Sequence, residues 1–340
     1  HRLIRRQRQM CIRDRFVLER GMKCKWLGVA FAVFTAIAAF GIGNLTQGNA
    51  AAEQLHHAFA IPSWGTAAVL TILTALVMLG GIRSIAKVCA FFVPFMAVIY
   101  IIGCVYILAV QSHYILPAIR YILDCAFTGE AAAGGVVGAA VMTAMRTGVA
   151  RGLFSNEAGL GSAAIASAAA QNRNPVRQAL ISSSGPFWDT VVICALTGIV
   201  LTTSILAHPD ISSSDGPRLT TLAFSKIPYV GSPLLTVSLV TFVVSTILGW
   251  SYFGEKALEY LGGIRLITPY RVIWVAAVFT GCVSKIDLVW VFADCANGLM
   301  ALPNLISLLA LSGVLVQQTR YYLWQHRLDD YDDSHIPEGK

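Results

Sequence analysis

The side chains best suited to chemistry lie in one stretch, Gly148–Gln178, which reads GVARGLFSNEAGLGSAAIASAAAQNRNPVRQ. It begins inside an apolar run yet holds Arg151, Ser155, Asn156 and Glu157. Ionisable groups at membrane depth are costly and face an interior cavity or a partner. Gly152, Gly159 and Gly161 flank the polar group, and glycine lowers the cost of leaving helical geometry. Irregular backbone in a bilayer is tolerated where it is buried in protein or lines a cavity. The pattern predicts a discontinuous helix with its break near Phe154–Gly161. Its free backbone N–H and C=O groups could hold a substrate or a cation near the midplane. The competing reading is packing: Arg151 and Glu157 as a structural ion pair, and the small residues of AAIASAAA as a close helix contact.

Two further segments carry polar groups in apolar surroundings. In AAFGIGNLTQGNAA, Asn44 and Gln47 are three apart and share a helix face. That face suits either a polar ligand or interhelical hydrogen bonds. In LLTVSLVTFVVSTILGWSYFGEKALEYL, Phe242, Thr246, Trp250 and Phe253 recur on one helix face. Such a stripe is core in most helices, and Ser245 and Thr246 could simply bond the preceding turn. Asp189 reads as a structural acceptor; Asp294 is open between coupling site, gate partner and structural acceptor. Trp64, Trp188, Trp274 and Trp324 fall near span ends and read as interfacial anchors. The eight cysteines form no CxxC pair and predict neither disulfide framework nor metal cluster. His56, His57 and His113 fall in predicted loops.

The elements that must position these groups are membrane helices. Of the 340 residues, 56% are apolar and 13% charged, against about 25% charged in soluble domains. Lipid is the solvent for most of this surface. Candidate spans are Trp26–Ala52, Gly65–Gly81, Ala86–Val110, an irregular glycine-rich Gly134–Ala170, Ala179–Leu206, Pro233–Leu261, a short Tyr270–Val283, and Leu288–Val316. The fold class is therefore an all-α polytopic membrane protein with about eight crossings. Alternating them puts Arg20, Lys23, Lys25, Arg83, Lys87, Arg173, Arg177, Lys256, Arg265, Arg271, Arg320 and Arg327 on one side. Arg120, Arg218, Lys226 and Lys285 fall on the other. The bias places both termini in the cytoplasm of a multi-pass cell-membrane protein. Residues 1–15 hold most of the net charge of +7. This basic head reads as juxtamembrane rather than nucleic-acid binding; its MCIRDR tract also resembles an assembly artefact, and it is set aside from the fold. The core is 16–318, and 319–340 reads as a polar, disordered cytoplasmic tail.

Gly148–Ala163, followed by NPVRQ and FWDTVVICALTGIV, resembles the signature region of the alanine or glycine:cation symporter family. GIGNLTQGNA (41–50), VMLGGIRSIAKV (77–88), TILGWSYFGEKALEYL (246–261) and VWVFADCANGLMALPNLISLLALS (289–312) extend the likeness from about Trp26 to Ser312. The resemblance implies the inverted-repeat fold of the leucine-transporter type, with the first span here matching the third core helix. The first two core helices have no counterpart, so the expectation is an incomplete fold, a fragment that does not transport alone. The family implies substrate contacts at Asn44, Gln47, Phe154, Ser155, Asn156, Gly159 and Trp250, with Phe154 and Trp250 closing the pocket around a small amino acid. It implies sodium ligands at Ser245 and Thr246.

The resulting expectation is sodium-coupled symport of alanine or glycine by alternating access, with no cofactor beyond the coupling ion, no nucleic-acid partner and an open oligomeric state. A membrane enzyme would need GxGD, a Ser–His pair or HExxH, and none occurs. A channel filter comes from repeated pore loops, whereas this chain has a single broken segment.

Overall fold

A computed structural model describes residues 19, 22–127, 146, 148–152, 155–157, 159–167, 174–211, 218–284 and 286–328. Among these residues all regular structure is helical. The helices are α1 Lys25–Phe59, α2 Ser63–Leu79, α3 Gly81–Val110, α4 Ile115–Phe127, α5 Ser162–Ser167 and α6 Pro175–Ala207. They continue as α7 Leu219–Ser225, α8 Gly231–Gly262, α9 Ile267–Val283, α10 Ile286–Ala310 and α11 Ser312–Thr319. Six of the described helical stretches are long and apolar enough to cross a membrane; α2, with 17 residues, is shorter.

The core is built around α1. Its KWLGVAFAVFTAIAAF run buries Phe31, Ala38 and Ala39. It then passes through a π-helical turn at Gly41–Leu45 and continues as Thr46–Phe59. Wide turns of this kind free a carbonyl inside a helix. Here the Ile42 carbonyl is taken up twice, by Thr46 Oγ1 at 2.7 Å and Gln47 Nε2 at 3.1 Å. Around the turn, α8, α9 and α10 all pack on α1. Close approach is possible because the facing residues are glycine. A Cβ at Gly43 would lie 2.0 Å from Trp250 Cβ, and one at Gly41 3.0 Å from the Ala293 Cα. A Cβ at Gly254 would lie 2.1 Å from the Tyr270 hydroxyl. A smaller cluster of Cys104, Ile107, Val200, Phe224 and Leu235 joins α3, α6, α7 and α8.

Several sequence expectations change. Trp274 is no interfacial anchor: it is fully buried on α9 beside Tyr270 and Phe40, whereas Trp64, Trp188 and Trp324 are exposed. An interior tryptophan was hidden by its position near a short span. His56 and His57 end α1 rather than lying in a loop, because α1 runs on to Phe59, where Ala60 (φ 54) closes it. The amphipathic α4 lies where no element was expected. Of the expected tail, Arg320–Trp324 is π-helical and Asn174 Nδ2 bonds the Leu328 carbonyl at 3.1 Å; residues 329–340 lie outside the described residues.

Candidate functional site

The described residues of the stretch 148–167 form an interrupted helix. Residues 148–152 and 155–156 are helical, and Ser162–Ser167 is helical again. Between them Glu157 (φ 57), Gly159 (φ 82) and Gly161 (φ 89) are left-handed. Glycine takes that conformation without penalty, whereas for glutamate it is uncommon and must be held by its surroundings. The holding groups are visible. The Leu160 N–H donates to the Glu157 carbonyl at 3.1 Å, and Asn304 Nδ2 of α10 donates to the Gly159 carbonyl at 2.9 Å. Gly161 sits so close to Phe31 that a Cβ would be 2.9 Å from its ring. The Glu157 carboxylate accepts from Ser162 Oγ at 2.7 Å.

The flanking polar groups face two other helices. Ser155 Oγ donates to Asp189 Oδ2 of α6 at 2.7 Å, and Asn156 Nδ2 donates to Thr190 Oγ1 at 2.8 Å. Asp189 and Thr190 lie in a second π-helical segment, Phe187–Cys194. Arg151 donates to both oxygens of Asp294 on α10 and stacks on Trp290 at 4.9 Å. The Arg151–Glu157 pair of the competing packing reading does not form: Arg151 pairs with Asp294, and the Glu157 carboxylate meets Ser162.

The residues singled out in the sequence divide into groups. Ser155, Asn156 and Gly159 lie at the break, and Trp250 packs on Gly43 of α1. Asn44 is fully buried, but its Nδ2 donates to the Trp274 carbonyl of α9 at 2.9 Å. Asn44 Oδ1 takes no hydrogen bond among the described residues. Gln47 turns back to Ile42, so the shared face of Asn44 and Gln47 is split by the π-helical turn. The Ser245 hydroxyl donates to the Phe242 carbonyl at 2.8 Å. Thr246 is half-buried. Phe154 lies outside the described residues. The aromatic stripe on α8 splits as well: Trp250 and Phe253 are buried, and Phe242 is exposed.

Asp189, the partner of Ser155, lines a cavity of about 730 Å³ together with Gln54, Tyr100, Trp188, Phe242 and Trp290, a space that none of the described residues at the break itself lines. Most of its wall is apolar side chain with a few polar groups, the usual make-up of a small-molecule site. Gln54 is buried and ties two walls together: its Nε2 bonds Thr236 Oγ1 at 3.1 Å, and Thr221 Oγ1 donates to its Oε1 at 2.9 Å. Sequence reasoning missed Gln54, Ser162 and Asn304. Gln54 falls in the amide-rich end of α1 and Asn304 follows Pro303, but neither signal identifies a partner.

Comparison with known proteins gives a consistent picture. The family described as "Sodium:alanine symporter family" matches residues 14–335. The sodium/alanine symporter AgcS of Methanococcus maripaludis is 48% identical over 312 residues, covering 90% of this chain and 68% of that protein. An uncharacterized transporter of Haemophilus influenzae is 42% identical over 325 residues, covering 94% of this chain and 71% of that protein. The probable sodium/glutamine symporter GlnT of Bacillus subtilis is 34% identical over 318 residues, covering 92% of this chain and 64% of that protein.

Proposed function

Because this chain belongs to the sodium:alanine symporter family, we propose that it is the transmembrane part of a sodium-coupled carrier for a small neutral amino acid, alanine or glycine. A carrier of this family is a membrane protein and not an enzyme. The observation that carries the reading is the break at Glu157–Gly161, held between α1 and α10 by Phe31 and Asn304. Helical geometry is interrupted there, and in carriers built on broken helices such breaks meet the polar ends of the substrate. The finer reading places the substrate among Asn44, Gln47, Phe154, Ser155, Asn156, Gly159 and Trp250, and the sodium ion at Ser245 and Thr246. In this reading Trp250, which packs on Gly43, and Phe154 close the pocket around a short side chain.

The same reading takes the fold as the inverted-repeat type with eight crossings in the cell membrane and both termini cytoplasmic. Alternating access then amounts to preferential binding of ion plus substrate to one conformation. Sodium-dependent alanine counterflow in proteoliposomes holding the carrier tests the function. Counterflow that ignores sodium overturns the coupling; no exchange of alanine or glycine overturns the substrate. Cysteines placed at 53–63 should react with an impermeant reagent from outside the cell, and labelling only from the cytoplasmic side inverts the orientation.

A further inference from the structure

The NPVRQ segment that opens α6 has no part in the site described above. Asn174 caps the helix: its Oδ1 accepts from the Val176 and Arg177 N–H groups at 3.0 and 3.1 Å. Pro175 fills the first helical position, where no donor is lost. Asparagine, aspartate and serine cap about equally well, so the cap alone does not call for an amide. The other end of the side chain does. Asn174 Nδ2 donates to the Leu328 carbonyl at 3.1 Å and to the Arg327 carbonyl at 3.5 Å, 154 and 153 residues along the chain. Asn174 is 1% exposed, so these bonds are shielded from water. The segment after α11 is shaped to deliver the two carbonyls. Arg320–Trp324 is π-helical, with Tyr322 buried. His326 then turns the chain in a left-handed conformation, φ 55. The Arg327 N–H donates to the Tyr322 carbonyl at 2.9 Å, and the Arg327 guanidinium stacks on Tyr321 at 4.9 Å.

We propose that Arg320–Leu328 is a strap, locked by Asn174, that restrains α6 and the broken helix from shifting against α1 and α8. The proposal rests on the reading of the protein as a carrier that works by alternating access, in which such a shift exchanges the two conformations. One end of the strap is fixed: α11 follows α10 directly, and α10 packs on α1. The other end grips an element that is lightly packed, since 17% of the most apolar window of α6 is buried. α6 in turn is tied to α5, the second half of the broken helix, by a 2.7 Å hydrogen bond between Ser182 and Ser167. It also carries Asp189 and Thr190, the partners of Ser155 and Asn156. Amide-to-carbonyl bonds exchange for bonds to water at little net cost, so the lock can open within a transport cycle. The strap touches none of the substrate contacts. It therefore sets how fast the conformations exchange, and through that the turnover, and leaves the affinity for alanine alone.

The discriminating variant is Asn174→Asp, which keeps a cap oxygen at the helix N-terminus and removes both N–H donors to the strap. The first readout needs no transport. In purified carrier with its native cysteines replaced and Leu328→Cys introduced, maleimide labelling should quicken at least ~5-fold when Asn174→Asp is added, because the strap opens locally. In proteoliposomes, Asn174→Asp should raise the maximal rate of alanine counterflow roughly 3-fold at an unchanged half-saturating alanine concentration and unchanged melting. Ending the chain after Gln325 removes both acceptor carbonyls and should give the same acceleration; it decides if Asn174→Asp fails to fold. Unchanged labelling in Asn174→Asp overturns the strap. Faster labelling at an unchanged counterflow rate overturns its restraining role. Slower counterflow with lowered melting also overturns it and leaves Asn174 a helix cap alone. Faster labelling in Asn174→Asp from a wild type that shows no counterflow keeps the strap contact and removes the carrier reading.

Discussion

The contact between α1 and α8 and the contact between the broken helix and α6 are joined in different ways. The first is a fit of shapes. Gly43 lies against Trp250, and Ile42, Ile247 and Leu248 are all but inaccessible. More than half of the most apolar window of α1 is buried, 56%, against 17% for α6. The second contact is a set of polar bonds, Ser155 to Asp189 and Asn156 to Thr190, beside an open cavity. Close-packed surfaces have few alternative arrangements, whereas hydrogen bonds can be exchanged for bonds to a ligand at little net cost. The comparison teaches that α1 with α8 is the frame, and that the break against α6 is where ligands can replace protein partners.

The largest effect should come from the frame. Gly43→Ala puts a methyl carbon into the Trp250 side chain and should cost about 2–3 kcal/mol. It would be read as a fall in melting temperature and in the yield of folded carrier. An unchanged melting temperature would mean the α1–α8 fit is loose and the comparison fails. At the break the expected loss is of activity. Asn156→Ala removes the bond to Thr190 and should reduce alanine uptake to background, with normal amounts in the membrane and normal melting. Unchanged transport would reduce the polar stretch to a packing motif.

A smaller effect is expected at Thr246, on the frame helix but half-buried. Thr246→Val keeps the shape and deletes one oxygen. The half-saturating sodium concentration should rise about 3–5-fold, and alanine affinity should drop mainly at low sodium, as reciprocal linkage requires. An unaltered sodium dependence would assign the hydroxyl to the helix alone. The smallest effect belongs outside both regions. The Lys226 ammonium beside Asp210 holds that exposed carboxyl below its ordinary value. A depressed carboxylate stabilises the fold above the unfolded-state value and loses that contribution as pH falls through the folded one. Asp210→Asn should therefore lower the melting temperature only slightly at neutral pH, as for an exposed pair, and the difference from the wild type should vanish in acid. A large shift at neutral pH would show that this loop supports the frame.

The sequence alone determined that this is a helical membrane protein, where its long helices run, and that one of them breaks between Phe154 and Gly161. These features are local. Hydropathy over about 20 residues reports the solvent of a helix, and glycines next to polar residues in an apolar run report where regular backbone gives way. The tertiary structure decided which partners those residues take. It buried Trp274 against Phe40, turned Asn44 to α9, and gave Arg151 to Asp294 rather than Glu157. It also set Asp189, read from the sequence as a structural acceptor, opposite Ser155 on the wall of a cavity. Hydrogen-bond partners 34 to 230 residues apart carry no periodic signature in the chain. They meet because the glycine positions on α1 and α8 set how closely the helices approach, and the π-helical turns rotate each later side chain away from the face that a regular helix would predict.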